Sequence, residues 1–206
     1  MSIERIVKHF KKQDLNSNEI ERLVKKAPVL YSDLSKYKSL SQLLGKENYV
    51  VILYQTSSRL SGHFVAITKG DNGVVRYFDS YGIPNPDSEL QFTPYDKVLP
   101  KYLTKLLDSV DYESNRVDYQ AKNPAISTCG RYASLACLFR NLSLPQIHEI
   151  YKMSKTPYLA DSDNLVVLLT LVCLNDIPDY LVDVPRGSLH NYGNISGRPT
   201  NAIEKY

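Results

Sequence analysis

The chain has no tryptophan, only two methionines and only three cysteines in 206 residues. Three cysteines exclude a disulfide framework. Cys129 and Cys137 stand eight positions apart on one predicted helix, roughly 12 Å along its axis at 1.5 Å per residue. A disulfide needs Cα atoms about 4.4–6.8 Å apart, so a reducing compartment is expected. Long apolar runs are missing as well. The longest, Leu165 to Leu174, is interrupted by Thr170 and falls far short of the ~20 residues that span a bilayer. It reads as a buried helix. The opening Met-Ser-Ile-Glu-Arg has no apolar signal-peptide region, so the chain is expected in the cytosol or inside some enclosed particle, without membrane contact. No His/Cys pair has zinc-ligand spacing and no glycine motif cradles a phosphate. Neither a metal nor a cofactor is expected.

What is present is ordinary for a globular protein: 43% hydrophobic and 23% charged residues, enough for one domain with a substantial core. The formal charge is +3. Residues 1–48 carry ten Lys/Arg against six Asp/Glu, a net of +4. Lys8, Lys11, Lys12, Lys25 and Lys26 are compatible with a weak DNA contact, although a solvated helical face explains them more simply.

Residues 1–48 read as helical. Ile3, Ile6, Val7 and Phe10 recur at helical spacing, Asn16 with Glu19 suggests a capping box before Ile20, Leu23 and Val24, and Ser39 to Leu44 reads as a short helix stopped by Gly45. Tyr49 to Thr56, Gly62 to Lys69 and Val74 to Asp79 read as strands, the last two joined by the hairpin signal Gly70-Asp71-Asn72-Gly73. Residues 80–98, with three prolines, read as a loop. Leu99 to Leu107 is expected to be helical and Arg116 to Tyr119 a further strand. Helices are expected again over about Cys129–Arg140, Gln146–Met153 and Asp163–Leu174, with Ser143 and Asp161 or Ser162 as caps. The expected class is α+β, a small antiparallel-containing sheet flanked by helices. One domain is expected over 1–185, with its core at 49–140, followed by an irregular tail over 186–206.

Four residues sit in contexts that suit thiol catalysis: His63, Asp79, Gln120 and Cys129. A hairpin loop centred on Asp71 would set His63 opposite Asp79, where a carboxylate can fix the imidazole tautomer and stabilise the imidazolium. Cys129 opens a predicted helix after the potential caps Ser127 and Thr128, and the helix dipole there favours a thiolate. Gly130 allows close backbone approach. Gln120 can donate to an oxyanion beside the Cys129 backbone N–H; Asn115 and Asn123 are alternative donors. Cys137 and Cys173 lie within apolar runs and read as core. Each residue alone has an unremarkable structural alternative.

Taken together, Gly62-His63-Phe64-Val65-Ala66, Tyr77-Phe78-Asp79-Ser80-Tyr81-Gly82 and Gln120 through Cys129-Gly130-Arg131-Tyr132 resemble the adenovirus-protease and SUMO-protease clan of cysteine peptidases, with its order His, Asp, Gln, Cys. Size and the segment Asp161 to Leu169 look most like the capsid-maturation proteases of virophages, Polinton-type elements and large DNA viruses. The resemblance implies an adenovirus-protease-like fold, with His63 as general base, Asp79 as its orienter, Cys129 as nucleophile and Gln120 as oxyanion donor. It implies cleavage of viral capsid or core proteins at small-residue, Gly-rich sites, by a monomer, with Gly62, Phe64 and Gly130 lining a narrow substrate slot. Phe64 stands where the family often has Trp, and the interval of nine from Gln120 to Cys129 is longer than usual. The competing expectations are removal of SUMO or ubiquitin-like modifiers from host proteins and a catalytically inactive binding module.

Overall fold

The computed structural model describes residues 3–58, 61–93, 99–152 and 161–174. Pro94, the end of the helix expected to reach Met153, and the tail over 186–206 lie outside the described residues. Two short helices, α1 (Ile3–Phe10) and α2 (Ser17–Val24), begin the chain. The capping box of α2 forms as expected: Asn16 Oδ1 accepts from the Glu19 N–H, and Glu19 Oε2 accepts from the Asn16 N–H. After strand β1 (Val29–Leu30) and a 3-10 helix come α3 (Leu40–Leu44), capped by Ser39, and the strands β2 (Tyr49–Ser58), β3 (Ser61–Lys69) and β4 (Val75–Phe78). Then follow a 3-10 helix (Pro86–Phe92), α4 (Tyr102–Leu107), β5 (Tyr112–Ser114), α5 (Cys129–Leu138), α6 (Leu144–Lys152) and α7 (Ser162–Leu174).

The five strands form one mixed sheet whose spatial order is the chain order. Its inner pairs, β2–β3 and β3–β4, are antiparallel; the outer pairs, β1–β2 and β4–β5, are parallel. Side chains alternate between the two faces of a sheet, and each face here meets helices. Val51, Leu53, Phe64, Ala66 and Phe78 pack with residues of α2, α5, α6 and α7. Val50, Ile52, Tyr54, Val65, Ile67, Val75 and Tyr77 pack with residues of α3, α4 and the 3-10 helices. α5 is buried from Cys129 through Cys137 without a polar stripe, as befits a helix enclosed by neighbours. Its Arg131 is buried too, donating to Thr170 Oγ1 of α7 at 2.6 Å and to the Phe10 carbonyl at 3.4 Å. Burial lowers the pKa of this guanidinium to about 10.

Four expectations are corrected. The fifth strand is Tyr112–Ser114 rather than Arg116 to Tyr119, because Glu113 comes level with Arg76 of β4 and accepts from its Nε at 3.1 Å. The 80–98 loop contains a 3-10 helix started by Pro86, with Asn85 Oδ1 accepting from the Asp87 N–H. Cys173 is exposed rather than core, since Val166, Val167, Thr170, Leu171 and Leu174 take the inward side of α7. Ser127 and Thr128 do not cap α5: the N-cap Thr128 makes no side-chain cap bond and its hydroxyl turns instead to Asp163 Oδ1.

Candidate active site

The β3–β4 turn is centred one residue later than expected. Ala66 pairs with Phe78 and Thr68 with Arg76, which brings Val65, not His63, level with Asp79. His63 and Asp79 are therefore diagonal neighbours with the same parity, and they still meet: His63 Nε2 donates to Asp79 Oδ1 at 3.2 Å. The place level with His63 falls to Tyr81, whose ring stacks on the imidazole with centroids 5.1 Å apart.

Asp79 follows directly on β4 with no solvent exposure, and both its backbone and its carboxylate are hydrogen-bonded. Asn115 clamps its backbone, accepting from the Asp79 N–H at 2.8 Å and donating to the Asp79 carbonyl at 2.6 Å. The Tyr81 N–H donates to Oδ1 at 2.7 Å and the Tyr77 hydroxyl to Oδ2 at 3.4 Å. A carboxylate held this way can orient an imidazole without rotating. Asn115 is thus part of the Asp79 mount, not an oxyanion donor. Asn123 lines the cleft, but its Oδ1 accepts from the Ala125 N–H.

Cys129 begins α5, and its thiol points at the Gly62 carbonyl, 4.0 Å away. Because neither Ser127 nor Thr128 caps the helix, its N-terminal dipole is left facing the thiol and the cleft. Burial opposes charge on His63, but hydrogen bonds with Asp79 and Cys129 and their negative charges outweigh it and hold its pKa well above the ordinary value. A protonated imidazole held by a carboxylate can stabilise a thiolate, the nucleophilic form of cysteine. With Nε2 committed to Asp79, the other ring nitrogen is the one left for the thiol.

His63, Cys129 and Gln120 share the wall of one cleft of about 590 Å³ with Gly62, Tyr81 and Glu89. Gly62 is required there: a Cβ at this position would come within 1.7 Å of the Tyr54 carbonyl oxygen. Phe64 and Gly130 stand elsewhere. Phe64 is buried in the core under α5, 3.3 Å from where a Gly130 Cβ would be. The pair sets how closely α5 approaches β3 and does not line the cleft. Gln120 is held on both sides of its amide: Oε1 accepts from Ser80 Oγ at 2.8 Å, and Nε2 donates to the Tyr81 hydroxyl at 3.1 Å and to the Ile126 carbonyl at 3.4 Å.

Sequence reasoning gave no role to three residues of the site, although Tyr81 and Asp163 lie in segments that carry the resemblance. Glu89, from the 3-10 helix, is buried with Oε1 unpartnered. Burial chiefly, with Asp79 adding to it and His63 opposing, raises its pKa. Its carboxylate and the ligand atoms of His63 and Asp79 lie within 4.8 Å of one another, close enough to hold a metal ion. Asp163 of α7 accepts from the Thr128 hydroxyl and, at 3.0 Å, from the Ala121 N–H. It thereby ties the residue before Cys129 to the residue after Gln120. Tyr81 carries a phenol whose pKa burial, then the charges of Cys129 and Asp79, push up to about 12.

Of the basic N-terminal residues, two are internally engaged. Lys11 Nζ pairs with Asp161 at 2.6 Å and donates to Asn164, and Lys26 Nζ donates to the carbonyls of Leu43, Leu44 and Tyr49. Lys8, Lys12 and Lys25 are exposed. No helix among the described residues is long and apolar enough to cross a membrane.

No family model matches the chain. It is similar to Uncharacterized protein V9 of Sputnik virophage, 28% identical over 174 residues that cover 80% of this chain and 98% of that protein.

Proposed function

We propose that the chain is a cysteine endopeptidase of the adenovirus-protease and SUMO-protease type, cleaving viral capsid or core proteins at small-residue, Gly-rich sites during virion maturation. The observation that carries this reading is the convergence in one cleft of a helix-N-terminal thiol, an imidazole bonded to a buried carboxylate and an anchored amide. In the reaction, the Cys129 thiolate attacks the scissile carbonyl carbon. The C–S bond forms and the carbonyl π pair moves to oxygen, where the Cys129 backbone N–H and the Gln120 side of the cleft stabilise it. Collapse expels the amine, which takes a proton from the His63 imidazolium. Neutral His63 then draws a proton from water, and the resulting hydroxide attacks the thioester carbonyl to release the acid and regenerate the thiolate. Asp79 keeps the imidazole in one tautomer throughout. The relation to a virophage protein supports the viral setting.

The test is incubation with capsid and core proteins of the same virus, followed by N-terminal sequencing of the fragments. Cleavage after a small residue that disappears in Cys129→Ala is expected, and cleavage that persists in that variant would refute the proposal. Labelling of Cys129 by a ubiquitin-like vinyl-sulfone probe would redirect it to deconjugation.

A further inference from the structure

The amide of Gln120 is not free. Ser80 fixes its oxygen, and its nitrogen spends hydrogens on the Tyr81 hydroxyl and the Ile126 carbonyl. A hydroxyl that accepts a hydrogen bond still has its own hydrogen to donate, and a phenol keeps that hydrogen at neutral pH. Among the described residues, no hydrogen bond uses the Tyr81 hydroxyl hydrogen. The ring is fixed by stacking on His63, and the backbone by the Tyr81 N–H bond to Asp79. Tyr81 also lines the same cleft as Cys129, and burial, then the nearby charges of Cys129 and Asp79, keep its phenol protonated.

We propose that the Tyr81 hydroxyl is the side-chain donor to the oxyanion, with Gln120 acting through it as a positioning residue rather than touching the substrate. The proposal rests on the cysteine-peptidase reading and assigns that site a catalytic residue. As the carbonyl π pair moves to oxygen, the phenol donates its hydrogen to the developing charge, and the Gln120 N–H bond to the phenol oxygen makes it a better donor. No proton is transferred in this step, and the phenol returns to its resting contacts when the C–N bond breaks.

Tyr81→Phe keeps the ring and its stacking and removes only the hydroxyl. Two reactions of Cys129 separate the effects: acylation by p-nitrophenyl acetate, which passes through an oxyanion, and alkylation by iodoacetamide, which does not. Acylation is expected to slow by about 10²-fold, the loss typical of one oxyanion donor, while alkylation stays within about twofold and shows the thiol and the fold intact. Gln120→Ala added to Tyr81→Phe is expected to cost little more, because residues that act in series are non-additive. Unchanged acylation in Tyr81→Phe overturns the proposal. So does an equal fall in both reactions, which would place Tyr81 in support of His63. Multiplying losses in the double variant overturn the serial arrangement and make Gln120 an independent donor. If wild type is acylated no faster than Cys129→Ala, the peptidase reading itself fails, an outcome separate from these.

Discussion

At the scale of single residues, Asp79 is the most constrained group of the site, and its substitution is the sharpest probe. Asp79→Asn preserves volume but offers His63 an uncharged partner, so peptide cleavage is expected to fall by about 10²–10⁴-fold, read as kcat with substrate in excess. The same variant bears on stability. The folded pKa of His63 lies above its ordinary value, so protonated His63 stabilises the fold fully below pH ~6.5 and that stabilisation is lost as pH rises through the folded value. Wild-type denaturant midpoints should accordingly decline on the alkaline side, and Asp79→Asn should flatten this decline. A slope unchanged by the substitution would show that Asp79 is not what raises the imidazole. Gly62→Ala forces a methyl into the Tyr54 carbonyl; it should destabilise by about 2–3 kcal/mol, measured by urea unfolding, and disturb the carbonyl facing the Cys129 thiol.

At the scale of elements, helix starts carry distinct duties. The Asn16 box only closes α2, so Asn16→Ala should cost about 1 kcal/mol in urea unfolding and leave turnover unchanged. The start of α7 is different, because Asp163 holds both the residue before Cys129 and the residue after Gln120. Asp163→Ala leaves the buried Thr128 hydroxyl, and the Ala121 N–H, without their acceptor, which should destabilise by about 1–3 kcal/mol and also lower kcat; a pure stability loss would limit Asp163 to scaffolding. Much of this level was legible in advance. The box at Asn16 and Glu19, the Ser39–Gly45 helix, the three long strands and the Cys129 start all follow from local periodicity and capping chemistry. The β3–β4 register did not, since Gly70 to Gly73 can turn about Asp71 or Asn72 and only packing against β2 and α5 selects between them. The short fifth strand was hidden too, because its pairing depends on the Arg76–Glu113 contact across 37 residues. Glu89 and Asp163 carry no local mark, since their roles come from tertiary burial alone.

At the scale of the whole molecule, Arg131 joins α1, α5 and α7 through the Phe10 carbonyl and Thr170. Its charge is buried with Nε unpartnered, so the guanidinium gives little net stability while its removal from one side is costly. Thr170→Val should destabilise by about 1–3 kcal/mol in urea unfolding, and a shift below the resolution of the measurement would mean that Phe10 alone satisfies the cation.

The parity of the sheet has a consequence for control. His63 and Asp79 share the parity of Val65, Ile67 and Tyr77, which face α3 and α4, whereas Cys129 starts the helix that covers the opposite face. The imidazole and the thiol therefore belong to different layers and, among the described residues, come together around the start of β3, where the thiol faces the Gly62 carbonyl. A nascent or half-assembled chain holds a thiol without its base, or a base without its thiol. Reactivity of Cys129 is thus a readout of complete folding, and on the proposed peptidase reading the chain would stay inert towards neighbouring proteins until its last layer docks.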